Sequence, residues 1–152
     1  MAKDIDRVLS EMEYGGKTKV LALGIYRGFH YHVVNHMGMH PCGYVNISGY
    51  ESVLRNENHN LTEYETERYE WIECHGGVTF ADTAIWPFAG GYWIGWDYTH
   101  LGDRCQYSSF VTDGMMYGTG CVVYECKHVI DQIVDKLNEK GVKIRNNENV
   151  FE

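Results

Sequence analysis

The strongest pattern of apolar and polar positions lies near the C-terminal end. Val122, Cys126, Val129, Ile130, Ile133, Val134 and Leu137 recur at three- and four-residue intervals, which predicts a helix over 122–140 with one apolar stripe. Gly141 suits the position just past its end, and Lys136 and Lys140 suit its negative pole. A second, shorter helix is predicted over 4–14, where Ile5, Val8, Leu9 and Met12 share a face and Gly15-Gly16 can stop the chain. Between the two helices the pattern changes to that of strands. Residues 19–25 and 29–34 read as a hairpin turned at Arg27-Gly28, and 42–47 as a third strand after the loop 37–41. Residues 71–80 read as a strand with a glycine break, and 92–97 as a buried strand.

The stretch 48–70 is polar and irregular, and seven Glu stand against two Arg between residues 51 and 73. It reads as a solvated acidic loop, insertion or lid. Residues 102–120 are punctuated by Gly and Ser and read as loop, and the tail after Arg145 reads as frayed. Helix, strands, strands, helix is an α+β order without regular βαβ alternation. The expectation is a single domain over 1–152, with an antiparallel or mixed sheet and the C-terminal helix packed on one face. Its parts are the helix 4–14, the strands of 19–47, the acidic stretch 48–70, the His/Gly/Asp segment 71–103 and the helix 122–140.

Composition narrows the function classes. A chain of 152 residues fits one domain able to bury a core. A net charge of −8 argues against direct binding of a phosphate backbone and fits a basic partner. Five Cys (42, 74, 105, 121 and 126), odd in number and without a CxxC pair, point to a reducing compartment rather than a disulfide framework. The polar N-terminus and the absence of a long apolar run lead to the expectation of a cytoplasmic protein that does not enter a membrane.

Five groups of residues carry side chains or backbone suited to chemistry or binding. In His75-Gly76-Gly77 the glycines allow a sharp turn and a close approach to a ligand, and their N–H groups can form an anion nest; a simple strand corner fits them equally. In the run from Gly95 through Trp96, Asp97 and His100 to Asp103, two carboxylates flank an imidazole. Such a set can hold a divalent metal or orient a general base, and it can also be no more than turn-forming residues. His40, Cys42, Cys74, His75, His100 and Cys105 include zinc-type donors without zinc-type spacing. His30 and His32 alternate on a strand, as residues of a wet face do. Finally, Glu63, Tyr64, Glu65, Glu67, Tyr69 and Glu70 interleave acid with aromatic contact area, a pattern suited to docking on a basic protein surface. Phosphate-loop, dinucleotide, zinc-protease and serine-hydrolase motifs are all missing.

Four blocks together resemble a set of small phage, prophage and bacterial proteins. They are Tyr26-Arg-Gly-Phe-His-Tyr, His40-Pro-Cys-Gly-Tyr-Val-Asn-Ile, His75-Gly-Gly-Val-Thr-Phe and the run from Trp93 to Asp103. The resemblance spans most of 26–137. That set has no assigned activity, so the resemblance implies a mobile-element accessory product and passes on no catalytic residue. The stretch 48–70 is longer and more acidic here than in that pattern, and the helix 4–14 also departs from it.

Three functions follow as expectations. The first is a binding protein that blocks a nucleic-acid-binding enzyme of a host defence system. The second is a hydrolase using His75, Asp97, His100 and Asp103, with or without a divalent metal. The third is a sponge for a small nucleotide signal, held by the Gly76-Gly77 backbone, the Trp93 and Trp96 walls and Arg27 or Arg104.

Overall fold

The computed structural model describes residues 19–36, 40–56, 64–85, 89–98 and 118–145. The predicted helix 4–14, Glu63, His100, Asp103, Arg104 and Cys105, most of the loop 102–120 and the tail beyond Arg145 lie outside the described residues.

Five antiparallel strands make one sheet: β1 (Lys19–Tyr26), β2 (Phe29–His36), β3 (His40–Asn46), β4 (Phe80–Ile85) and β5 (Ala89–Asp97). Their spatial order is β1-β2-β3-β5-β4, so β4 and β1 are the edges. A short helix α1 (Glu51–Leu54) and a 3₁₀ turn (Glu65–Tyr69) precede β4, and helix α2 (Thr119–Glu139) follows β5. The fold is therefore α+β, with the C-terminal helix laid across β1, β2 and β3.

The β1–β2 hairpin turns at Arg27 and Gly28, both at positive φ (51° and 90°), which a two-residue hairpin matching the strand twist requires. Arg27 tolerates this while its guanidinium holds Asp131 of α2 at 2.7 Å. The end of α2 carries the predicted glycine. Gly141 sits at φ 68°, its N–H donates to the Asn138 carbonyl, and the Val142 N–H donates to the Leu137 carbonyl. These two bonds form the Schellman closure, and Val142 adds its apolar contact to the core.

Alternation along the strands divides the apolar residues into two layers. Phe29, Tyr31, Val33, Val45, Ile47, Ile94 and Trp96 meet the apolar stripe of α2, namely Val122, Cys126, Val129, Ile130, Ile133, Val134 and Leu137. Val20, Val34, Cys42, Tyr44 and Trp93 make a second cluster on the other face. The central strands are thus buried on both faces.

Two expectations are corrected. Residues 71–78 are not a strand, because α2 side chains take backbone groups of Glu73 and His75 and a glycine turn reverses the chain; the Thr79 N–H donates to the Gly95 carbonyl of β5 at 2.9 Å, and β4 itself begins at Phe80. The described part of 48–70 is not a solvated insertion. Tyr50, Leu54 and Tyr69, followed by Ile72, are buried in the main core, and short helical turns satisfy the local backbone. Trp71 ties these turns together by donating its indole N–H to the Leu54 carbonyl at 2.8 Å. Among the described residues, no helix is long and apolar enough to cross a membrane.

Candidate functional site

The His75-Gly76-Gly77 segment is a tight turn fastened to α2. The Gly77 N–H closes it on the Cys74 carbonyl at 3.0 Å, with Gly76 at φ 70°, as the third residue of a type II turn requires. That bond uses the Gly77 N–H within the turn itself. The Glu125 carboxylate accepts the His75 N–H at 2.7 Å. One turn pair further along α2, the Gln132 amide bonds both the N–H and the carbonyl of Glu73, each at 2.7 Å. A single side chain so replaces the neighbouring strand that Glu73 lacks. The imidazole of His75 stacks on Tyr98, with ring centres 4.5 Å apart and planes 16° from parallel. Tyr98 is buried, and its hydroxyl accepts the Trp96 indole N–H at 3.2 Å.

Asp97 belongs to the other face. It ends β5 in register with Cys42 of β3, and its Oδ2 accepts the Thr79 hydroxyl at 3.0 Å. Burial, reinforced by the Asp97 charge, pushes the Cys42 thiol up to about 12 and raises Tyr44 as well. Cys42 is accordingly a neutral, protected thiol rather than a ready nucleophile. His75 and Asp97 share an end of the sheet but not a face, and Trp96 lies in the core against α2 instead of lining an open wall. His100 and Asp103, which would complete the predicted set, are outside the described residues. Among the described residues, no three His, Cys, Asp or Glu side chains gather closely enough to hold a metal ion.

His32 departs from the wet-face expectation. It is 7% exposed and packs against Trp93 with ring centres 4.5 Å apart and planes tilted by 46°, because the face it occupies carries the second apolar cluster. Burial drives its pKa down to about 3, so the ring is neutral; burial lowers His30 also. Alternation placed both histidines on one face but did not reveal that the face is covered. Nearby apolar residues at even positions, Val34, Cys42 and Tyr44, were the available signal.

The acidic stretch forms a ridge. Tyr64 is 63% exposed, and Glu65, Glu67, Glu70 and Glu73 are exposed. Tyr69, assigned to this surface by its spacing, is instead 1% exposed and anchors the ridge in the core, as does Ile72. Glu65 is partly engaged within the fold, accepting the Tyr92 hydroxyl at 2.8 Å and pairing with Arg68 at 3.4 Å. The Asn56 N–H donates to the Arg68 carbonyl at 2.7 Å, which joins the ridge to the segment just past α1. Glu67, Glu70 and Tyr64 are exposed on the same stretch.

Compared with known proteins, the chain matches no family model, and no curated sequence or solved structure is similar to it.

Proposed function

We propose that the protein acts by binding, with the ridge from Tyr64 to Glu73 docking on a basic surface of a host protein. The observation that carries this reading is the ridge's two-sided construction. Tyr69 and Ile72 are buried beneath it, while Tyr64, Glu67 and Glu70 face outward. A ridge already ordered in the free protein loses little conformational freedom on docking, and its charge steers it to a cationic groove. A net charge of −8 supports the same direction. A groove that ordinarily receives nucleic acid is the natural counterpart, and a phage-type product that blocks a defence nuclease in the host cytoplasm is the specific form proposed.

The alternative hydrolase on His75, Asp97, His100 and Asp103 has less support, since His75 and Asp97 occupy opposite faces of the sheet. The nucleotide sponge loses both of its expected walls, since Trp93 and Trp96 are buried in the clusters on the two faces of the sheet.

The test is a panel of purified defence nucleases assayed for cleavage with and without the protein, at low and high salt. Inhibition of one member, weakened by salt and abolished by the double substitution Glu67→Lys, Glu70→Lys, is expected. Inhibition that ignores both salt and charge reversal, or no inhibition across the panel, overturns the proposal.

A further inference from the structure

We draw no further inference here: the strongest candidate, the side-chain cluster of His32, Cys42, Tyr44 and Trp93 on the sheet face turned away from α2, is closed to solvent with Leu23 and Phe80 packed against it, and so presents no open site to a ligand.

Discussion

Trp96 packs over Gly43, its cross-strand partner, so closely that a β-carbon on Gly43 would stand 2.5 Å from the indole Cζ2. The same relation joins Gly95 to Tyr44 on the opposite face, where the ring carbon Cδ1 would be 2.5 Å away. Each large ring lies in the gap left by a missing side chain on the neighbouring strand. The sheet thereby seats rings on both sides without spreading its strands.

Gly43→Ala is therefore expected to cost about 1–3 kcal/mol through overpacking against the indole. Gly90→Ala is the control, since a β-carbon there meets nothing within 4 Å; its effect should stay within about 0.5 kcal/mol. Urea denaturation followed by tryptophan fluorescence distinguishes the two. Equal midpoints would contradict the packing described for Trp96.

The clamp on the Glu73–His75 backbone gives a local prediction. Gln132→Ala removes both bonds to Glu73, and Glu125→Ala removes the acceptor of the His75 N–H. Each should cost about 1 kcal/mol. Amide exchange should speed up at Glu73 and His75 respectively, while α2 keeps its protection. Unchanged exchange at these amides would show that the α2 side chains do not hold the segment.

Acid should destabilise the fold through His32. Its folded pKa of about 3 lies below the unfolded value of 6.5, so the unfolded chain binds the extra proton between those limits. The contribution is complete above pH 6.5 and declines as pH falls towards 3, by up to about 1.4 kcal/mol per pH unit. His30, lowered by burial, works in the same direction. His32→Phe preserves a ring for Trp93 and removes the titration. Denaturant midpoints from pH 7 to pH 4 should fall less steeply for this variant. Parallel slopes for the two proteins would exclude His32 as the acid-sensitive group.

The cysteines should separate by reactivity. Cys121 is exposed, whereas Cys42 and Cys126 are buried and Cys74 is half-buried. Burial pushes Cys42 and Cys74 up to about 12 and raises Cys126 too. Brief iodoacetamide treatment at pH 8, followed by peptide mass mapping, should label Cys121 and spare Cys42, Cys74 and Cys126. All three should react once denaturant is added. Rapid native labelling of Cys42 would mean that the second face of the sheet opens readily.

Several elements were legible because their cause is local. The stripe from Val122 to Leu137 and the stop at Gly141 follow from helical spacing and from the left-handed conformation that glycine adopts cheaply. The hairpin at Arg27-Gly28 depends on two adjacent residues. The acidic ridge was recognisable by composition, but its order was not. Tyr69 and Ile72 are spaced too irregularly to announce that they enter the core, and what holds them lies elsewhere in the chain.

By itself, then, the sequence determined the α+β class, the long helix with its cap, the first three strands and the excess of negative charge, all of which rest on spacing or on residue type. Tertiary structure alone decided which face each polar group took. It paired Asp97 with Cys42 while His75 was stacked on Tyr98 on the helix side, and it buried His32 against Trp93. Alternation along a strand fixes only that neighbouring residues point oppositely; whether a face is wet or covered depends on segments remote in the chain that pack against it.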